Sequence, residues 1–327
     1  MIQNKLTYIG KENNIPVSMY GFGALELGWY RKYVQKEDAA ELARAAVQEG
    51  IRFFDTSTLY GSLRSEWILG YALEGVKRED YTIATKAGYD MTGYAPDFTM
   101  PPEFPPCCYD YDFIMRSVEG SLKRLRTDYI DIVHIHDAND DEQFKAAMDG
   151  AYRALSDLRD QGVIRGIGVG NNYANQMAKF AAAGDFDAFL CAGRYSLLDH
   201  ATFLEEVQEL AEQKNIAITV GGAFSSGISA DPYAANPNFN YLPAEPAMIQ
   251  KAQEMDQICQ KYGATLRDAA AQFPAFNPVV KSICLGVGSL AHMQENLNSW
   301  KKDLPTELWQ ELQQKGYIHE KAFLPEV

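Results

Sequence analysis

Eight short β-rich runs recur along the chain with amphipathic helical stretches between them, and this alternation restricts the fold more than any other feature. The runs are 17–23, 51–55, 81–87, 129–136, 164–170, 186–192, 216–222 and 279–286. Between the first two, residues 36–49 place Ala39, Leu42, Ala43, Ala46 and Val47 on one helical face, and Gly50 follows as a stop. Residues 112–125 do the same with Ile114, Val118, Leu122 and Leu125. Segments 141–161, 200–214, 246–262 and 289–299 continue the pattern. Strands alternating with helices imply a parallel sheet, and eight parallel strands close naturally into a barrel. The expected fold is therefore α/β, a (β/α)8 TIM barrel forming a single domain over 1–327. The length of 327 residues suits one such barrel of ~250 residues with insertions. The competing architecture, an open doubly wound sheet, calls for a GxGxxG turn after an early strand. GIGVGN at 166–171 has the wrong spacing and comes late.

Net charge separates the remaining function classes. At -14 the chain is a poor match for nucleic acid or an anionic membrane surface. No apolar run approaches the ~20 residues of a membrane span, and the first residues do not resemble a signal peptide. The five cysteines form no CxxC pair, so neither a metal site nor a disulfide framework is expected. The expectation is a cytoplasmic protein acting on a small molecule, as a monomer or small homo-oligomer.

The chemistry gathers at the carboxyl ends of adjacent strands. The second strand ends at Asp55, with Tyr60 five residues on. The third carries Lys86 and the fourth ends at His136. In a barrel these four groups converge on one mouth. A phenol normally titrates near ~10, and a neighbouring ammonium lowers that value. An aspartate would hold the lysine charged, and a histidine could donate to a substrate oxygen or relay a proton. The set suits proton transfer to or from an alcohol or carbonyl oxygen without a metal. His134, two residues before His136, shares its face one layer deeper and reads as structural. Two long segments leave the same ends of strands: 88–112, rich in Pro and aromatics, and 223–246. Long loops in compact domains are usually functional or disordered, and aromatic content argues against disorder.

With these residues in place the chain resembles the aldo-keto reductase family over about 17–300. The motifs are GFGALELG (21–28), FFDTSTLYGSLRSEWILGYAL (53–73), ATKAG (84–88), SLKRLRTDYIDIVHIHD (121–137) and GVIRGIGVGNN (162–172). The resemblance implies a catalytic tetrad of Asp55, Tyr60, Lys86 and His136. AGRYSLLDHATF (192–203), VGGAFSSGI (220–228) and LRDAAAQFPAFNPVVKSICLGVGS (266–289) are similar to the aldose 1-dehydrogenase branch. That branch covers L-fucose-, D-threo-aldose- and L-galactose-type enzymes and a pyridoxal dehydrogenase. Its members oxidise an anomeric carbon to a lactone with NAD(P)+. A general aldehyde or ketone reductase, and a cofactor-binding regulatory subunit, are the alternatives within the family.

The resemblance also implies where NAD or NADP would lie. Gly23, Ala24, Leu25, Asp55 and Gly221 belong to the nicotinamide end. Phe224, Ser225, Ser226 and Gly227 belong to the pyrophosphate, and Gly286, His292, Glu295 and Asn296 to the adenosine. Asn171 or Asn172 would take the carboxamide. Trp29, Tyr30, Tyr60, Tyr89 and His136 would face substrate. The commoner reductases stack a tyrosine where this chain has Gly221. They carry Gln where it has Ala192, and Ser-Asn where it has Gly170-Asn171-Asn172. Relatives that prefer NADP hold its 2′-phosphate with basic residues at positions that here are Gly286, Gly288 and His292. With no fixed positive charge at any of the three, NAD is the expected cofactor over NADP.

Overall fold

Every barrel strand obeys a period of two, and that parity decides what lies inside. The computed structural model describes residues 5–12, 14–28, 35–94 and 105–325. The barrel strands are β1 Tyr20–Gly23, β2 Phe53–Asp55, β3 Thr82–Ala87, β4 Ile130–His136, β5 Ile164–Asn171, β6 Ala188–Ala192, β7 Ala217–Gly221 and β8 Val280–Gly286. They run parallel in sequence order and close where β8 pairs with β1, Ile283 opposite Tyr20 through Gly286 opposite Gly23. Phe54, Ile83, Val133, Ile135, Phe189, Ile218 and Val220 face the surrounding helices in one large core. Their neighbours of opposite parity, Phe53, Ala84, Ile132, Ala188 and Ala217, form a second cluster inside the barrel. Asp55, Lys86, His134 and His136 share that inward parity, two or four residues further along the same strands.

The run 17–23 is not one strand. It breaks at Met19, and Ile15–Ser18 turns back to pair antiparallel with Leu6–Ile9. This hairpin closes the amino-terminal end of the barrel. Ile9, Ile15 and Val17 are fully buried against Phe53, Ala84, Ile132 and Cys284. Ser18 holds the break: its hydroxyl donates to the Tyr20 carbonyl at 2.6 Å and accepts from the Arg52 N–H at 2.9 Å. The alternation of apolar residues across 15–23 hides this corner, because both pieces bury the same kind of side chain.

The helical stretches read from periodicity form, among them Lys36–Gln48, Tyr111–Leu125, Pro246–Lys261 and Leu290–Lys301. The stretch 141–161 is interrupted by a π-helical turn at Ala147–Tyr152. There Gly150 lies under the Tyr109 carbonyl, and a Cβ would come within 2.2 Å of that oxygen. The contact fixes Tyr109, whose hydroxyl donates to the His136 carbonyl at 2.8 Å. Leu266–Gln272 starts at a capping box, with Thr265 and Asp268 bonding each other's main-chain N–H groups. Among the described residues no helix is long and apolar enough to cross a membrane.

Ile15→Ala should destabilise the protein by about 2–5 kcal/mol in chemical denaturation, as expected for a truncated core isoleucine, with kcat close to wild type. Lost turnover at unchanged stability would tie the hairpin to the opposite, catalytic end.

Candidate active site

The loop after β2 is pinned before it delivers a side chain. Thr56 N–H donates to the Ala84 carbonyl at 2.8 Å, so the chain leaves β2 still attached to β3. Gly61, with φ of +61°, crosses Gly28 of the loop after β1 so closely that a Cβ would sit 1.7 Å from the Gly28 oxygen. Only glycine fits that crossing. Tyr60, one residue earlier, is thereby fixed over the barrel axis.

Lys86 is 1% exposed, and its ammonium has three donors. They go to Asp55 Oδ1 at 2.7 Å, the Thr56 carbonyl at 2.8 Å and Tyr60 Oη at 3.0 Å. The lysine stem passes Gly170 of β5, where a Cβ would lie 3.5 Å from Lys86 Cδ. Burial by itself works against the Lys86 charge, but Asp55 and Tyr60 outweigh it and hold the amine above its usual pKa. For Tyr60 the balance falls the other way from the sequence expectation. Burial drives the phenol's pKa up, Lys86 pulls it down, Asp55 pushes it up again, and the net displacement is upward. The ammonium is thus the main influence opposing a rise.

His136 stands on the other side of Tyr60, ring centroids 6.4 Å apart and edge to face. Its Nδ1 lies 3.2 Å from Ser57 Oγ, leaving Nε2 toward the barrel mouth. Burial, opposed in part by Asp137, lowers its pKa to about 4, so the ring is neutral near pH 7. Ser57 Oγ also accepts from the Leu59 N–H at 3.1 Å and still has its own proton to give Nδ1, which leaves Nε2 able to carry the ring proton. His134 lies deeper, neutral as well, its pKa lowered to about 3 by burial and by Lys86. It packs on Gly168, where a Cβ would meet its Cδ2 at 2.3 Å.

From Asp55 and Tyr60 a cleft of about 470 Å³ runs outward over β7 and β8 to Glu295 and Asn296. Its wall includes Gly23, Leu25, Gly221, Phe224, Ser225, Ser226, Gly227, Gly286 and His292, so these residues named from the sequence lie together along one cleft. Ala24 is buried and outside that wall. So is Asn171, whose side chain donates to the Ala138 carbonyl and accepts from the Tyr173 N–H. Asn172 is also outside it, its carbonyl taken by Arg194. Trp29 and Tyr30 lie outside the described residues, as do 95–104 of the long third loop. The two ends of that loop are zipped together, Asp90 N–H to the Pro106 carbonyl and Cys108 N–H to the Gly88 carbonyl. Tyr89 is thereby set against His136, centroids 5.1 Å apart.

Three features in and beside the cleft escape the sequence reading. Arg267, at the start of its capped helix, donates to Asn296 Oδ1 at 2.9 Å, pairs with Glu295 at 3.1 Å and lies 5.3 Å over the Phe224 ring. A short ribbon of Asn238–Phe239 and Leu242–Pro243 brings Asn240 and Tyr241 to the cleft, with Tyr241 N–H bonded to Ser226 Oγ at 2.9 Å. Asp137, in left-handed backbone at φ of +52°, stands beside His136. The signals were faint: Arg267 lies in a quoted motif, and Asp137 adjoins His136. The wall fits an adenine dinucleotide. Phe224 offers a stacking face, a row of glycines leaves main chain open, and Arg267 Nε is buried without a hydrogen-bond partner among the described residues.

The sequence pattern of the Aldo/keto reductase family matches residues 20–316. The chain is 33% identical to a pyridoxal 4-dehydrogenase of Microbacterium luteolum, over 93% of this chain and 95% of the relative. It is 27% identical to a D-threo-aldose 1-dehydrogenase of a Pseudomonas species, over 93% and 95%. A solved glycerol dehydrogenase of Gluconobacter oxydans superposes with a TM-score of 0.76 at 22% identity, covering 99% of this chain and all (100%) of that one, a likeness of fold. A closed parallel barrel with Asp55, Lys86 and His136 buried and Tyr60 beside them at its carboxyl end, together with that family-wide match, establishes that the chain belongs to the aldo/keto reductase family and is an NAD(P)-dependent oxidoreductase.

Proposed function

We propose that the protein oxidises an aldose at its anomeric carbon, giving a lactone, with NAD as the preferred acceptor. The observation that carries the reaction type is the Lys86 ammonium, fully bonded and 3.0 Å from Tyr60 Oη. The curated relatives narrow the substrate. An aldose and pyridoxal both hold a hydroxyl able to close onto the aldehyde, so both present a cyclic hemiacetal. The nicotinamide supplies the hydride acceptor in oxidation and the donor in reduction. Tyr60 Oη takes the hydroxyl proton from the carbon being oxidised, and Lys86 compensates the phenolate's charge. His136, neutral, donates through Nε2 to the same substrate oxygen and orients it. Asp55 keeps Lys86 charged and aimed. Gly23, Leu25 and Gly221 would border the nicotinamide, Ser225 to Gly227 the pyrophosphate, and Phe224, Arg267, Glu295 and Asn296 the adenosine.

The nucleotide preference rests on charge. The adenosine end of the cleft holds the Glu295 and Glu26 carboxylates, and its guanidinium, Arg267, is already paired with Glu295. A 2′-phosphate would add a dianion beside those carboxylates, whereas a 2′-hydroxyl can donate to Glu295.

Tyr60→Phe should lower kcat by ~10²–10⁴-fold, the usual worth of a positioned proton-transfer group, while nucleotide affinity, followed by fluorescence titration, changes little. More than half the wild-type rate would remove Tyr60 from the chemistry. Lys86→Met removes the influence that pulls the phenol's pKa down. Because oxidation needs the deprotonated phenol, the rising limb of its pH–rate profile should move to higher pH. An unmoved limb at unchanged rate would break the proposed coupling. Wild type should favour NAD over NADP at least tenfold in kcat/KM, and Glu295→Gln should narrow the ratio about five- to tenfold, the scale of one relieved charge contact. A tenfold wild-type preference for NADP would overturn the charge argument, and an aldose panel showing no oxidation with either nucleotide would overturn the substrate.

A further inference from the structure

The position after His136 holds a carboxylate that the proton-transfer chemistry does not use. Asp137 Oδ2 accepts from the Tyr89 hydroxyl at 2.8 Å and lies 3.6 Å from His136 Nε2, the nitrogen directed at the mouth. The side chain is 20% exposed, and among the described residues Oδ1 takes no hydrogen bond. Its backbone is bent to put it there. The φ of +52° is one that aspartate and asparagine tolerate better than most residues, and the Asp137 N–H is anchored on the Gly170 carbonyl at 3.0 Å. Without that bend the strand parity would direct position 137 outward, like Ile135.

We propose that Asp137 is a substrate-binding residue that accepts a hydrogen bond from a hydroxyl on the carbon next to the reacting carbon. It would make the site selective for 2-hydroxy carbonyl compounds and their hemiacetals. A substrate oxygen held by His136 Nε2 lies within a few ångströms of Asp137, and an adjacent hydroxyl is the substrate donor that comes nearest it. Tyr89 supplies one donor to Oδ2 and fixes the carboxylate's plane, which leaves Oδ1 for the ligand. A partly buried carboxylate that bound substrate shields from water would lack a donor where that hydroxyl is missing, and this penalises simple aldehydes and alcohols. The substrate class deepens the aldose reading and rests on it, while the 2-hydroxy preference itself can be measured in either direction of the reaction.

The measurement is a ratio of kcat/KM values between hydroxylated and deoxy partners. In oxidation the pair is an aldose and its 2-deoxy counterpart. In reduction it is 2-hydroxypropanal and propanal. Wild type should favour the hydroxylated member about 10- to 100-fold, the range for a hydrogen bond to a charged group. Asp137→Gly keeps the left-handed backbone and should bring the ratio below threefold. Asp137→Asn, which retains shape and an acceptor but not the charge, should fall between. Tyr89→Phe leaves the carboxylate and should keep the preference. The proposal is overturned if the wild-type ratio is below threefold in both directions, if Asp137→Gly keeps it, or if Tyr89→Phe abolishes it as fully as Asp137→Gly does. Preference in the aldehyde pair with no aldose oxidation would retain Asp137's role and remove the aldose reading.

Discussion

A charged lysine buried on the axis of a barrel is tolerable only if every one of its protons has a partner, and the rest of this site follows from that requirement. The desolvation penalty for such an ion is several kcal/mol. Here Asp55 compensates the charge, the Thr56 carbonyl takes the second proton and Tyr60 the third. Two of the three partners come from the loop after β2, so that loop must be rigid. The Gly28–Gly61 crossing and the Thr56–Ala84 hydrogen bond supply the rigidity. The arrangement that stabilises the ammonium is the one that positions the phenol, so structural and catalytic demands coincide at one nitrogen.

The barrel separates stability from chemistry along its length. At the amino-terminal end the interior is apolar and sealed by the hairpin through Ile9, Ile15 and Val17. Moving up the same inward rows, the residues become His134, Lys86, Asp55 and His136, each stepping two residues toward the carboxyl ends. Neutral His134, in register with Lys86 on the neighbouring strand, borders the apolar layer. Desolvation keeps both histidines neutral, and a neutral His136 adds no second cation beside Lys86, as its proposed donation to a substrate oxygen requires.

Above the strands, two loops divide the recognition. The segment after β7 lines the nucleotide side, where Ser226 ties the ribbon carrying Tyr241 down to the cleft. The segment after β3 and the turn at Asp137 lie on the other side, with Tyr89 joining the two through its hydrogen bond to the carboxylate. Arg267 reaches the cleft from a third place, the helix before β8, and bridges Asn296, Glu295 and the Phe224 ring. The residues proposed for nucleotide choice and for substrate choice therefore lie on different segments, which meet at Tyr60 and His136.

The local sequence pattern determined the barrel itself. Short β-rich runs and period 3.6 between them are properties of contiguous residues, so the barrel and the convergence of Asp55, Tyr60, Lys86 and His136 at its mouth could be read directly, and the family motifs agreed with that set. Tertiary structure alone decided the features that join residues distant in sequence or depend on one backbone angle. The hairpin plug was invisible because Ile15–Ser18 and Tyr20–Gly23 bury similar side chains on either side of a single corner. Arg267 was passed over because its partners, Phe224 and Asn296, lie in two other segments and meet it only when the barrel closes. The net rise of the Tyr60 pKa depends on how completely the phenol is desolvated, which composition does not encode. Asp137 stands next to His136 in the sequence, yet strand parity alone would send it outward, and a left-handed φ set by tertiary contacts turns it to the mouth.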